Sequence, residues 1–297
     1  MVSTGTAIEW TEVTWNPATG CDRISPGCDH CYALNLAKRL KAMGQAKYQH
    51  DGDPRTSGPG FGVTVHEEAL FEPLRWRRPR KVFVNSMSDI GHARVPAEFV
   101  ARTFATMAVA SRHQFQVLTK RPRRLRRLLE SQKFVDAVWA EMTRLSEDDA
   151  VPLARRERED VRKRVANWNA LSSWPLPNVW IGTSIEADEY CWRADELRVI
   201  PAAVRFLSLE PLLGPVPSLE LSRIDWVIVG GESGPAHRPL DLAWVRDIRD
   251  QCVDLRVALF FKQVGGLTPK AGGRLLDGRT WDEYPTTAVV AGYESGF

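Results

Sequence analysis

Six short runs along the chain are nearly continuously apolar, and most stop at or beside a polar residue: residues 82–85, 115–119, 179–183, 205–209, 226–229 and 258–262. Runs of four to six residues, rich in β-branched and aromatic side chains and bounded by Gly, Ser, Asn, Thr or Lys, predict buried strands. Weaker candidates precede them at residues 8–15 and 61–65. Between the runs the apolar spacing changes to three and four, which predicts helices. One covers residues 32–43 and stops at Gly44; another, 96–111, opens on a proline suited to a first helical turn. Residues 188–199 and 242–253 are amphipathic in the same way.

Strands alternating with helices imply parallel strands joined by right-handed crossovers. The expected fold is α/β, a complete or partial (β/α) barrel of parallel strands; a doubly wound α/β sheet is the alternative. The interval between the second and third strong strands is much the longest. Its residues, about 130–176, are rich in Arg, Glu and Asp and predict a helical, charged insertion, expected to be a solvated excursion from one domain spanning 1–297. In either parallel fold, chemistry belongs at the C-terminal ends of the strands.

Composition narrows the class. Of 297 residues, 43% are hydrophobic and 26% charged, enough to bury a core. No apolar run approaches the ~20 residues of a membrane span. The opening Met1–Thr6 has neither a basic start nor an apolar stretch, so no secretory signal is expected. Forty basic against 37 acidic residues leave a net charge of +3. A soluble, cytoplasmic protein without membrane contact is expected.

Five cysteines are present, and Cys21, Cys28 and Cys31 crowd together while Cys191 and Cys252 stand alone. Such clustering in a chain of this size points to metal or redox chemistry rather than disulfide stapling. Cys28 and Cys31 have C-x2-C spacing, and Pro26-Gly27 allows Cys21 to fold back beside them. Three thiolates on a four-iron cluster would leave one iron open to a small molecule. The alternative is a structural zinc site with His30 or a distant residue as fourth ligand.

Three cysteines after a first barrel strand resemble those of radical S-adenosylmethionine enzymes. The usual spacing there is C-x3-C-x2-C; here it is the variant C-x6-C-x2-C, with His30 where an aromatic residue usually stands. More narrowly, Trp15-Asn16-Pro17, Gly20-Cys21, Gly27-Cys28 and His30-Cys31-Tyr32-Ala33 resemble the phage-associated three-cysteine-motif family of uncharacterised proteins. So do Val117-Leu118-Thr119-Lys120-Arg121-Pro122, Gly182-Thr183-Ser184-Ile185-Glu186, Ser208-Leu209-Glu210-Pro211-Leu212 and Gly230-Gly231-Glu232-Ser233-Gly234. The resemblance implies an enzyme with a 4Fe-4S cluster on Cys21, Cys28 and Cys31, bound S-adenosyl-L-methionine and a reductant protein. The reduced cluster would cleave that cofactor to methionine and a radical that attacks the substrate.

Polar residues at the strand ends are the candidate cofactor site: Ser86, Asp89, Lys120, Thr183, Ser184, Glu186, Glu210, Gly230, Gly231, Glu232 and Lys262. A carboxylate such as Glu210 or Glu232 suits an amine or ribose, Lys120 or Arg121 suits a carboxylate, and Gly230 and Gly231 permit close backbone approach. Radical S-adenosylmethionine enzymes commonly carry a Gly-Gly-Glu-like segment on an early strand. Here that segment comes late, and Ser86, Met87 and Asp89 occupy the earlier place.

Two basic segments, from Arg75 to Lys81 and from Arg121 to Arg127, suit a phosphate backbone, so a nucleic acid is the expected macromolecular partner. Trp76 would stack on a base or cover apolar surface. Leu125, Leu128 and Leu129 mark the buried stripe of the second segment. Only that segment follows a strand and so belongs at the mouth. The competing function is a non-catalytic, metal-stabilised nucleic-acid-binding protein.

Overall fold

The computed structural model describes residues 5–169, 173–268 and 270–286. Seven strands form one all-parallel sheet: β1 (Val13–Trp15), β4 (Lys81–Val84), β5 (Gln114–Thr119), β6 (Val179–Ser184), β7 (Val204–Leu209), β8 (Trp226–Gly230) and β9 (Ala258–Gln263). Each pairs only with its predecessor and successor in that order, and β1 does not meet β9, so the sheet is an open half-barrel. Helices form its outer layer: α1 (Tyr32–Ala42), α2 (Ala97–Val109), α3 (Pro122–Leu129), α4 (Gln132–Glu147), α5 (Arg155–Ala166), α6 (Trp192–Val199) and α7 (Leu242–Leu255).

The pleat of each strand sorts its side chains onto two faces. Phe115 and Val117 of β5, Val179 and Ile181 of β6, and Val227 and Val229 of β8 join the helices in the main core. The alternate residues face inward. There Trp10, Phe83, Trp180, Phe206, Trp226 and Phe260 form a second, aromatic cluster. Trp226 lies at its centre, with ring centroids 5.6 Å from Phe206, 5.8 Å from Trp180 and 6.2 Å from Trp10. Gly182 makes room for it, because a Cβ there would stand 2.4 Å from the Phe206 ring. These rings close the half-barrel below its C-terminal mouth.

All six strong strands appear within about two residues of the predicted bounds. The weaker ones contract. The first is only Val13–Trp15, and of residues 61–65 only β3 (Thr64–Val65) is extended. It pairs antiparallel with β2 (Ala18–Thr19), away from the large sheet. The positive φ of Gly58 and Gly60 turns the chain immediately before that segment and shortens it.

The long interval is helical as predicted, but α4 is not a solvated excursion. Its Phe134, Val138, Met142 and Leu145 are buried in the main core against α2. Exposed polar residues dominate α5, where Val161 alone is buried. Residues 170–172 of this interval lie outside the described residues. Among the described residues, no helix is long and apolar enough to cross a membrane.

Candidate active site at the three-cysteine mouth

Beyond the aromatic rings, the inward positions become polar. One pleat beyond Phe83 lies Asn85, beyond Leu118 lies Lys120, and beyond Trp180 and Gly182 lie Ser184 and Glu186. Beyond Phe206 come Ser208 and Glu210. Because the strands are parallel and in register, with Thr119 opposite Thr183 and Ser184 opposite Ser208, these residues gather at one end of the sheet.

The cysteine loop sits on this end. Gly20 carries φ +86°, and a Cβ there would lie 2.2 Å from the Gly62 oxygen, so only glycine lets the loop pass. Gly20 N–H donates to the Met87 carbonyl at 2.9 Å, tying the loop to the segment after β4. Cys28 ends a single 3-10 turn, Pro26–Cys28, and Cys31 is the N-cap of α1. Gly27 presses against the segment that follows β6: a Cβ would meet the Glu186 side chain at 2.3 Å. Ser25 Oγ donates to Glu186 Oε1 at 2.7 Å. All three cysteines therefore face one cavity of about 130 Å³, shared with Asn85, Ser86, Asp89, Lys120, Arg121 and Ser184.

The three thiols feel different fields. Burial, with Asp89 nearby, pushes Cys21 up to about 12 against the opposing pull of Arg121. Burial also raises Cys31, despite backbone N–H groups of Leu34 and Ala33. At Cys28 burial is outweighed by the Lys120 ammonium and by N–H groups of Ile24 and Ser25, so its pKa falls. Lys120 is lowered to about 8 by its burial. Burial thus disfavours the thiolate form of Cys21 and Cys31, whereas Cys28 is shifted the other way. Cys191 and Cys252 lie elsewhere and are also raised to about 12 by burial.

Two thiolates on one tetrahedral zinc stand roughly 3.8 Å apart, from Zn–S bonds of about 2.3 Å. Among the described residues, no group of three His, Cys, Asp or Glu side chains suits a single ion. His30 does not turn toward the cysteines: its Nδ1 is 3.1 Å from Glu232 Oε2. The zinc arrangement with His30 as fourth ligand does not fit these positions. A four-iron cluster gives each thiolate its own iron and asks less convergence of them. The thiol-rich donor set and the small cavity suit such a group. S-adenosylmethionine would need more room than 130 Å³, since small-molecule sites usually run from about 300 Å³.

Several polar residues expected to hold a cofactor are occupied by protein partners. Asp89 accepts from Thr119 Oγ1 at 2.5 Å, Gly91 N at 2.8 Å, Lys120 N at 3.0 Å and Arg121 at 2.8 Å. Glu186, fully buried, pairs with Lys120 and with Arg193 at 2.9 Å. Glu210 pairs with Lys262 at 2.9 Å and accepts from Trp10 Nε1 at 3.3 Å. Gly230 leaves space for that carboxylate, since a Cβ would lie 2.8 Å from Glu210 Oε1. Gly231 similarly admits the Val264 carbonyl.

Glu232 holds the cysteine loop. It binds His30 and Arg238, and Arg238 also donates to the Pro26 carbonyl at 2.9 Å. Burial opposes its charge, but these hydrogen bonds win and hold Glu232 at about 2. Thr183 is on the other face of β6, where its hydroxyl donates to the Thr119 carbonyl at 2.8 Å, so it does not reach the cavity. Ser86 and Ser184 do line it. Asn85, the polar residue that ends the predicted strand 82–85, lines it too, and its buried Oδ1 has no hydrogen-bond partner. The signal was present in the sequence: Asn85 is two residues beyond the inward Phe83.

The basic segments divide differently. Arg75–Lys81 leads into the N-terminal end of β4, opposite the mouth, and Trp76 packs on the core with its ring 5.6 Å from His113. In the second segment Arg121 turns to Cys21, Arg123 and Arg126 pair with Glu196, and Arg124 donates to the Ile90 and Val95 carbonyls. A larger cavity, about 700 Å³, lies at the far end of β8 and β9 beside Trp281 and Thr286. It contains none of the mouth's residues.

The fold and site define a parallel α/β half-barrel protein with a three-cysteine mouth. The chain belongs to the family described as protein of unknown function (DUF5131), whose model matches residues 5–285. No curated protein and no solved structure matches it.

Proposed function

We propose that the protein is an iron–sulfur enzyme of the radical S-adenosylmethionine-like type, consistent with its resemblance to the phage-associated three-cysteine-motif family. The observation that carries this reading is the meeting of Cys21, Cys28 and Cys31 in one cavity at the C-terminal mouth of a parallel half-barrel. When bound, a four-iron cluster would supply a low-potential electron at an iron without a protein ligand, and S-adenosylmethionine, too large for the cavity itself, would have to approach from the open mouth. Cys21, Cys28 and Cys31 are its ligands. Lys120 and Arg121 offset the negative charge of the thiolates. Glu232 and Arg238 fix the loop that carries the cysteines, and the aromatic rings beneath exclude water from below. Asn85, Ser86 and Ser184 are polar groups that line the same cavity.

The rival reading, a non-catalytic nucleic-acid-binding protein, draws little from the arginines. One segment lies at the wrong end for the mouth, and Arg121, Arg123, Arg124 and Arg126 of the other are engaged within the chain. The test is anaerobic incubation of the reduced protein with S-adenosylmethionine. Production of 5′-deoxyadenosine, lost in Cys28→Ala, supports the enzyme; iron-loaded protein that yields none refutes it.

A further inference from the structure

We propose that Arg121 sets the reduction potential of the sulfur site through a fixed hydrogen bond to Cys21. This inference rests on the cluster reading above. Arg121 Nη1 lies 3.3 Å from Cys21 Sγ and 2.8 Å from Asp89 Oδ2, while Nη2 donates to the Asp22 carbonyl at 2.9 Å. The guanidinium is therefore held on both sides of the sulfur by oxygen acceptors. Those acceptors are themselves fixed. Asp89 is bracketed by Gly91, Thr119 and Lys120, and the Asp22 side chain by Thr56 and His92 at 2.7 and 2.9 Å. The Arg121 side chain is only 16% exposed.

Arginine suits this task because it presents several donors in a rigid plane and keeps its charge. The other cation of the cavity, Lys120, is paired with Glu186 and acts on Cys28 through its charge, not through a hydrogen bond to the sulfur. Elsewhere in the segment, Arg123 and Arg126 point to Glu196 and Arg124 to backbone carbonyls. Arg121 is thus the donor that the segment aims at a cysteine sulfur.

The electron balance gives the direction. A four-iron cluster on three thiolates changes from net charge −1 to −2 when it accepts one electron, with no bond made or broken. A donor on a ligand sulfur favours the more negative state, and hydrogen bonds to the sulfurs are among the factors that set cluster potentials. Arg121 therefore raises the potential and eases reduction by a low-potential one-electron donor such as dithionite. It is a positioning and tuning residue, since its reach is to the ligand and not to a substrate.

The experiment is a dye-mediated redox titration of the full-length, anaerobically purified protein, read by the paramagnetic signal of the reduced cluster. Arg121→Gln should move the oxidised-to-reduced ratio about tenfold toward oxidised at a given potential, equivalent to about 59 mV for one electron. Arg121→Lys should fall between that variant and the wild type. Arg123→Gln, which removes the same charge at the Glu196 pair, should titrate with the wild type. If Arg121→Gln does not fold, Arg121→Lys carries the test. Unshifted potentials in the Arg121 variants, or an equal shift in Arg123→Gln, overturn the inference while leaving the cluster intact. Wild-type protein without iron and sulfide overturns the cluster reading itself and the inference with it.

Discussion

At the N-terminal half of the sheet Trp10, Trp180 and Phe260 meet Trp226 edge to face, while one or two pleats further along the strands stand Lys120, Ser184, Glu186, Glu210 and Lys262. Both sets point to the same side. The lower region gains mainly from apolar burial, with Trp10 and Trp226 each donating one indole N–H, to Glu210 and the Glu283 carbonyl. The upper one is held by pairs that each fail if one member is lost. The difference separates stability from chemistry within single strands: the rings fix the curvature, and the charged ends are positioned by it.

The comparison is broken most severely at Trp226. Trp226→Ala removes the centre of the aromatic cluster and should cost about 3–5 kcal/mol in urea unfolding. A loss below about 1 kcal/mol would mean that the rings are not the support described. In the upper region, Glu186→Ala strands Lys120 and Arg193 together, with Arg193 at 1% exposure. Breaking a buried pair from one side costs about 3 kcal/mol or more. Glu186→Ala should also free Ser25 and disturb the cysteine loop, so iron uptake should fall with stability. Full iron uptake in this variant would separate the loop from β6.

A gentler test uses acid. Glu232 has an ordinary value of 4.5 and is held at about 2 in the fold. Its folded value is depressed, so its contribution is fully present above 4.5 and is lost as the pH falls from there toward 2. Glu232→Gln should flatten the dependence of stability on pH across that window, as followed by urea midpoints. An unchanged slope would remove the hydrogen-bonded role given to Glu232. The smallest effect belongs to the outer rim. Arg123 is 63% exposed at its pair with Glu196, so Arg123→Gln should change stability by less than about 1 kcal/mol.

The strands were legible because a parallel sheet covered on both faces requires almost unbroken apolar runs. Residues 82–85 and 226–229 announce themselves in that way. The pleat was legible too, and it separates Thr183 from Ser184 and adds Asn85, although polarity alone groups Thr183 with its neighbours. Burial of α4 was harder to see. Its Phe134, Val138, Met142 and Leu145 are spaced for one helical face, but the charges of the surrounding interval obscure them. The fates of Asp89 and Glu232 depend on tertiary partners, Arg121 and Arg238, that no spacing rule supplies. The two arginine segments look alike in sequence. Their order relative to the strands already separates the end each belongs to, but the contact of Arg121 with Cys21 does not follow from that order.

The most direct measurement is the iron, acid-labile sulfide and zinc content of anaerobically purified wild-type protein, beside Cys21→Ala, Cys28→Ala and Cys31→Ala. The three-thiolate mouth predicts about four iron and four sulfide per chain in the wild type and loss of both in each variant. Stoichiometric zinc without sulfide, or iron and sulfide retained when any one of the three cysteines is removed, would contradict it.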